Sequence, residues 1–249
     1  MSGGELKLAY SFEDYVESTR NLTTEEELFS TFLKAIEKHG LNRALFCLAT
    51  DHNDIGQTAG TGIIHNYPSD WMNYYFEHQF DKIDPVMIYG LNQISAYSWD
   101  IIPKKMILDK KQKNCLNFGQ EAGLQNGVCT PLRGANNQLA GISLASSEKN
   151  DSFDGKLDLI TAYCNHFYIS YKRLHEGKTE NVSNISLTDK ERDILSWVAR
   201  GKSDPDIGDI LNLSEFTINY HMRNIFKKFN VNSRITVVVK AVSYGLISF

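Results

Sequence analysis

Several features that assign a chain to a class of protein are missing from these 249 residues. No apolar run approaches the roughly 18–20 residues that a helix needs to cross a bilayer. The first segment, MSGGELKLAY, lacks the basic and then apolar stretches of a signal peptide. We therefore expect a cytoplasmic protein with no membrane partner.

Metal-binding and disulfide patterns are also lacking. The four cysteines follow neither a CxxC nor a Cys/His ligand spacing. The sequence therefore predicts no metal site, no cofactor and four free, buried thiols. These cysteines are Cys47, Cys115, Cys129 and Cys164.

Acidic residues outnumber basic ones by four over the whole chain, but the two kinds of charge are unevenly distributed along it. The segment from Leu187 to Phe249 holds nine Lys/Arg and seven Asp/Glu, which leaves 17 basic and 23 acidic residues for the rest. Within the tail, the stretch from Arg223 to Arg234 holds four basic residues and no acid. A local basic surface of this kind suits a phosphate backbone, whatever the total charge.

Apolar periodicity predicts a front half of mixed helices and strands. A capping box at Thr24 and Glu27 opens one helix, and "NGVCTPLRG" and "LAGISLASS" form a hairpin around the turn "ANNQ". This order predicts an α+β fold whose N-terminal part is an α-β-α sandwich around a mostly antiparallel sheet. The other predicted elements are strands at 43–50 and 61–67, a strand or extended segment at 96–100, and helices at 70–79 (capped by Ser69), 83–91, 104–122 and 154–175.

Strand signals end after a polar stretch, "HEGKTENVSNIS". We interpret 175–186 as a linker between a domain at 1–174 and a second domain at 187–249. The second domain carries capping boxes at Thr188 and Ser203 and four short helical patterns, which predict an all-α four-helix domain. Gly208 lies inside one of these helices, where it costs about 1 kcal/mol against Ala and so predicts close packing.

The third helix of the tail has two contrasting stripes. An apolar back and a polar, basic front are what the second helix of a helix-turn-helix needs, although periodicity alone also fits a solvated face on an ordinary bundle. The apolar stripe comprises Ile218, Met222, Ile225, Phe226 and Phe229, and the polar one comprises Asn219, Tyr220, Arg223, Lys227 and Lys228.

The tail resembles the LuxR-type helix-turn-helix over nearly fifty residues, "LTDKERDILSWVARGKSDPDIGDILNLSEFTINYHMRNIFKKFNVNSR". Ile218 for Val and Gly208 for the usual Ala are mild departures from its pattern. The resemblance implies that Asn219, Tyr220 and Arg223 face base edges of double-stranded DNA. It also implies phosphate contacts from Lys202, Thr217, Lys227 and Lys228.

In the front half, "WMNYYFEHQFDKIDPV" joins an aromatic helix to an aspartate that precedes proline. A buried carboxylate is costly unless a group donates to it. Taken alone, Asp84 could simply cap a helix or turn, and Trp71 and Tyr75 could simply be core residues. The wider set of residues decides between these alternatives.

That set resembles the autoinducer-binding domain of quorum-sensing LuxR receptors, which bind N-acyl-homoserine lactones. The resemblance rests on "NYPSDWMNYYFEHQFDKIDPV", "SWD", "EAGLQNGVCTPL" and "GISLASS". It implies that Asp84 accepts the ligand's amide N–H, a bond that compensates its burial only with ligand present. It also implies that Trp71 donates to the lactone carbonyl and that Tyr67 and Ser143 serve the acyl carbonyl. The resemblance further implies that Tyr75 and Trp99 form apolar walls of the pocket, and Pro85 and Gly127 complete the motif.

The two resemblances together imply a transcription factor that binds such a lactone and, as a homodimer, a near-palindromic promoter site, with RNA polymerase as a further partner. The helix at 154–175 and "VVVKAVSYGL" are candidate dimer surfaces, although their apolar faces could equally be core. One alternative is an orphan regulator that answers a different small molecule or none. Another is a lactone-hydrolysing enzyme, but the sequence lacks HxHxDH, GxSxG and an N-terminal nucleophile.

Overall fold

A computed structural model describes residues 11–149, 153, 155–176 and 185–248. The chain divides into a larger compact unit, formed by 1–50, 59–133 and 139–175, and a smaller one, formed by 51–58, 134–138 and 176–249. Most of the predicted linker, residues 177–184, lies outside the described residues.

A five-stranded sheet forms the centre of the larger unit. Its order is β2-β1-β5-β4-β3, and every neighbouring pair is antiparallel. The predicted antiparallel sheet is thus confirmed, including the hairpin, whose turn holds Asn136 and Asn137 at positive φ as a type I′ turn requires. The strands are β1 (Arg43–Leu48), β2 (Gly60–His65), β3 (Tyr97–Ser98), β4 (Asn126–Arg133) and β5 (Leu139–Ser146).

Helices cover both faces of this sheet. Side chains alternate along β1, so Phe46 contacts Phe167 and Tyr171 on one face, with ring centroids 5.4 and 4.8 Å apart. Leu45 and Cys47 pack on the other face with the aromatic helix, which confirms the α-β-α sandwich. The helices are α1 (Phe12–Ser18), α2 (Glu25–Glu37), α3 (Ser69–Glu77), α4 (Pro85–Gly90), α5 (Ile102–Lys105), α6 (Lys110–Glu121) and α7 (Leu157–His175).

Two helix predictions were wrong in detail. The single helix expected at 104–122 is broken into α5 and α6, because Asp109 starts a new helix with a capping box to Gln112. The aromatic helix α3 begins one residue early, so Pro68 is its N-cap and Ser69 its first residue. Both differences move helix ends without changing which face is buried.

The smaller unit contains the four predicted helices: α8 (Asp189–Ala199), α9 (Asp204–Leu211), α10 (Glu215–Phe229) and α11 (Arg234–Ser243). Ile194, Leu195, Ile207, Ile218 and Ile225 are fully buried in its core. A Cβ added at Gly208 would lie only 2.7 Å from the carbonyl oxygen of Leu213, so the backbone that follows α9 leaves no room for a side chain at position 208. This confirms the predicted close packing.

Candidate functional site

A cavity of about 370 Å³ lies in the larger unit, lined by residues of the sheet, of α3 and of the segments that follow α3. Its size and aromatic walls are those of a small-molecule site. All six residues expected to bind ligand line it, although they come from separate elements of the chain. These six are Tyr67, Trp71, Tyr75, Asp84, Trp99 and Ser143.

Asp84 holds two hydrogen bonds within the protein. It is the N-cap of α4, where Oδ1 accepts the backbone N–H of Val86 at 2.8 Å. Oδ2 accepts the hydroxyl of Tyr75 at 3.0 Å. The burial of Asp84 is therefore partly compensated within the protein, and Tyr75 contributes a hydroxyl as well as an apolar wall.

These two bonds do not cancel the cost of burial. Desolvation raises the pKa of Asp84 above its ordinary value of 3.8, against the opposing effect of the Val86 N–H, the Tyr75 hydroxyl and, more weakly, the Met87 N–H. Among the described residues, no lysine or arginine contributes to this balance. A carboxylate in this setting gains from one more donor, which a ligand N–H could supply.

Tyr67 and Ser143 lie beside each other across the cavity wall. The Tyr67 hydroxyl donates to the backbone carbonyl of Ser143 at 3.2 Å, and desolvation raises the pKa of this phenol. Since a phenol has one proton, Tyr67 must give up this bond before it can donate to a ligand carbonyl.

The two tryptophans differ in how they are held. Trp71 packs edge-on against Tyr75, with ring centroids 5.7 Å apart. The Trp99 ring lies so close to β4 that a Cβ at Gly127 would be 2.3–2.5 Å from three of its atoms, so only glycine fits there. The Trp99 indole nitrogen is buried and has no hydrogen-bond partner among the described residues.

Sequence reasoning missed the aliphatic part of the wall. These side chains carry no signal that separates a cavity wall from a packed core, because both need the same apolar residues. The missed apolar residues are Leu45, Met72, Val86, Met87, Pro103, Leu116, Leu124 and Phe153, and the missed polar ones include Asp100, Gln120 and Gln125.

In the smaller unit, α10 has the two predicted stripes. Ile218, Met222 and Ile225 are buried, whereas Tyr220 and Arg223 on the opposite side are exposed. Asn219 and Lys227 are also exposed, and Nδ2 of Asn219 lies 3.3 Å from Oδ2 of Asp204. These four polar side chains form one continuous surface along α10.

The residues expected to bind phosphate differ in how far they are already engaged. Lys202 and Lys227 are exposed, and the Thr217 hydroxyl lies 2.8 Å from that of Ser214 at the start of α10. Lys228 instead donates to Oε2 of Glu191 at 2.6 Å and to the carbonyl of Ser186 at 2.9 Å. One of its three donors remains for a phosphate, so its main contacts are internal.

Lys228 helps to lower the pKa of Glu191 and so favours its charged form. The Glu191 side chain is 5% exposed, and burial alone raises the pKa of a carboxyl. The Lys228 ammonium and the Thr188 backbone N–H outweigh burial and hold the pKa of Glu191 below its ordinary value of 4.5.

The part of the chain that the structure describes holds no cluster of three or more His, Cys, Asp or Glu side chains arranged for a metal ion. Its helices are all too short or too polar to cross a bilayer. The four cysteines are buried and free, as predicted.

Two family models match the chain. Residues 24–168 match the autoinducer binding domain, and residues 185–241 match the bacterial regulatory proteins of the luxR family. The first match alone covers more than half of the chain and contains the whole set of predicted ligand residues.

Named relatives are transcriptional regulators. The transcriptional activator protein LuxR of Aliivibrio fischeri is 31% identical over 192 residues, which cover 74% of each chain. The quorum-sensing regulator RhlR of Pseudomonas aeruginosa is 30% identical over 189 residues, which cover 75% of this chain and 76% of RhlR.

A solved structure has the same fold. SdiA, a protein of Escherichia coli, in complex with octanoyl-rac-glycerol superimposes with a TM-score of 0.70 at 21% identity. The superposition covers 100% of this chain and 99% of SdiA.

Proposed function

Because this chain belongs to the LuxR family of quorum-sensing transcriptional regulators, we propose that it binds an N-acyl-homoserine lactone in the cavity of its larger unit. We propose further that a homodimer then binds a palindromic promoter site through α10. The relatives named above are regulators and not enzymes, in keeping with a role in binding and not in catalysis.

The cavity's uneven chemistry carries this proposal. Most of the residues that line it are apolar, but one of them is Asp84, a carboxylate. Burial raises the pKa of Asp84, and no cation among the described residues pairs with it. An acyl-homoserine lactone offers the matching features: an amide N–H, two carbonyl groups and an apolar chain. A site whose buried polar groups match those of the ligand discriminates strongly, because an analogue leaves them unpaired.

Each polar residue then has a role. Asp84 accepts the amide N–H beside its existing bond from Tyr75, and Trp71 donates its indole N–H to the lactone carbonyl. Tyr67 exchanges its bond to Ser143 for one to the acyl carbonyl, with Ser143 beside it. Trp99, held against Gly127, provides an apolar wall.

Dimerisation is proposed from exposed apolar residues. Ile235 and Val239 lie one turn apart on α11 and are mostly exposed, as is Ile169 on α7. Most other apolar residues of α7 are buried as core. Two recognition helices about one turn of DNA apart, or a multiple of it, give a near-palindrome roughly 18–20 bp long. A ligand that binds only the folded protein stabilises the fold, and this links ligand to DNA binding.

Native mass spectrometry of protein expressed with and without a panel of acyl-homoserine lactones tests the proposal. We expect one lactone per chain and a dimer, with the mass increment giving the acyl chain length. The same panel should contain monoacylglycerols, because the structural neighbour SdiA was solved with one. Retention of a monoacylglycerol alone would favour a different amphiphile. Folded protein that retains nothing would favour a regulator that acts without ligand.

A further inference from the structure

The start of α10 carries an exposed aromatic side chain that the family pattern leaves without a role. Phe216 is 82% exposed, although a phenylalanine of this size is normally buried. Exposure alone argues little, because single apolar residues are common on protein surfaces. The position of Phe216 on the helix is more informative.

Phe216 extends the polar surface of α10 by one turn. Asn219, Tyr220 and Arg223 follow it at three, four and seven residues, which places all four side chains on one face of the helix. Tyr220 is also 58% exposed. Two exposed aromatic rings therefore lie one turn apart beside an amide and a guanidinium.

This face is opposite the part of α10 that packs into the smaller unit. Ile218, Met222 and Ile225 are buried, and the bond from Asn219 to Asp204 lies at the edge of the exposed surface. Phe216 is the second residue of α10, after Glu215. In a helix-turn-helix, the N-terminal residues of the second helix are those that contact base edges.

We propose that Phe216 is a specificity-determining residue that contacts the 5-methyl group of a thymine in the major groove. Thymine is the base whose major-groove edge carries a methyl group, and phenylalanine contacts it through apolar surface. The proposal rests on the proposed DNA-binding function and adds a preference for a T·A pair in each half-site. Asn219 and Arg223 then recognise the neighbouring pairs through hydrogen bonds.

The test begins with selection of a preferred duplex by the full-length, ligand-bound protein. Each thymine is then replaced by deoxyuridine, which lacks only the 5-methyl group. For wild type, replacement of the contacted thymine in one half-site should weaken binding roughly fourfold, because one methyl group is no longer buried, and replacement in both half-sites should weaken binding roughly 15-fold. Replacement at other thymines should change binding less than about twofold by the same reasoning.

The Phe216→Ala variant decides the assignment. Because both subunits of the proposed dimer lose their contact, it should bind the unmodified duplex roughly 15-fold more weakly, and it should no longer distinguish thymine from deoxyuridine at that position. Phe216→Leu, which keeps apolar surface, should retain part of the distinction. Unchanged thermal unfolding would show that the variants fold normally, as expected for so exposed a side chain.

Two results would overturn the proposal. One is a Phe216→Ala protein whose binding is weakened by deoxyuridine as much as that of wild type. The other is a wild-type protein whose binding is not weakened by deoxyuridine at any thymine. Failure of the underlying function is a separate outcome, since wild type would then select no duplex at all.

Discussion

Each unit contains a carboxylate withdrawn from bulk solvent, and the two differ in what stabilises them: Glu191 is buried, whereas Asp84 is half-buried beside the cavity. Glu191 in the smaller unit pairs with the Lys228 ammonium, which helps hold its pKa low despite burial. Asp84 in the larger unit has only neutral donors, and burial raises its pKa. The paired carboxylate stabilises its own unit, whereas the unpaired one borders a cavity and suits a ligand.

The same division holds for the cations of the smaller unit. Arg234 pairs with Asp204 and donates to the carbonyl of Lys202, and Lys228 pairs with Glu191. Arg223 and Lys227 are exposed on α10. Among the described residues, charged groups with no ion-pair partner thus face a cavity in the larger unit, as Asp84 does, and solvent in the smaller one, as Arg223 and Lys227 do. Both arrangements leave those groups ready for a partner.

The largest effect is expected from Asp84→Asn on lactone binding. A hydrogen bond to a charged group contributes about 1.5–3 kcal/mol, so the Kd should rise roughly 10- to 150-fold by equilibrium dialysis. Asp100→Asn is the matched control, because Asp100 also borders the cavity but is exposed and paired with Lys104 at 2.7 Å. A larger effect at Asp100 would contradict the assignment.

A methyl group at Gly127 should destabilise the larger unit. In Gly127→Ala the new Cβ would overlap the Trp99 ring, and overpacking of this kind costs about 1–3 kcal/mol in urea unfolding. Gly119→Ala provides the comparison. Its Cβ would meet Trp71 at an ordinary 3.5 Å, and alanine favours a helix interior, so stability should hold or rise. Equal stability of the two variants would refute the proposed fit.

Arg223→Ala and Lys227→Ala should affect DNA binding differently. Loss of a base contact at Arg223 should weaken specific binding by about 1–3 kcal/mol and relax the preference at one base pair. Loss of a phosphate contact at Lys227 should weaken binding to all sequences and reduce the salt slope by about 1. Fluorescence anisotropy across a salt series separates the two, and lactone binding serves as the unchanged control.

Glu191→Gln should lower the free energy of unfolding by about 1 kcal/mol near neutral pH, because the pair with Lys228 loses one charge. The effect is no larger because Lys228 is 34% exposed and water screens the pair. Because the pKa of Glu191 is lowered, its contribution is present above the unfolded value of 4.5 and is lost as pH falls through the folded value. In urea unfolding from pH 7 to pH 3, the unfolding free energies of wild type and variant should therefore converge as the pH falls. A constant difference would contradict the role of the charge.

Asp84 should show the opposite pH dependence in the ligand-free protein. Because its pKa is raised, its neutral form favours the fold, and this contribution is lost as pH rises through the folded pKa. Asp84→Asn should therefore be at least as stable as wild type at neutral pH, with the difference closing below about 3.8. A large loss of stability in this variant would identify Asp84 as a structural cap.

Much of the architecture could be predicted from the sequence. Alternating and helical periodicities located the sheet and its helices, because each element must bury one face. The break between α5 and α6 was missed, since the Asp109 cap lies within an otherwise helical pattern. Helix ends depend on a few local bonds and are harder to predict than helix faces.

The candidate site was predictable in its members but not in their bonding. Sequence motifs identified Trp71, Asp84 and Ser143 as members of one site, but they did not show what each side chain contacts. The Tyr75–Asp84 and Lys228–Glu191 bonds both depend on three-dimensional packing that no spacing rule supplies. Phe216 was missed for a different reason: the family pattern leaves its position variable.

The most direct test of the account compares an acyl-homoserine lactone with an analogue in which an ester oxygen replaces the amide N–H. Wild type should prefer the amide by about tenfold or more, because the ester deprives Asp84 of the donor that the ligand would supply and sets two oxygens against each other. In Asp84→Asn the preference should fall to about threefold or less. A preference that Asp84→Asn retains in full would contradict the claim that this carboxylate serves the ligand.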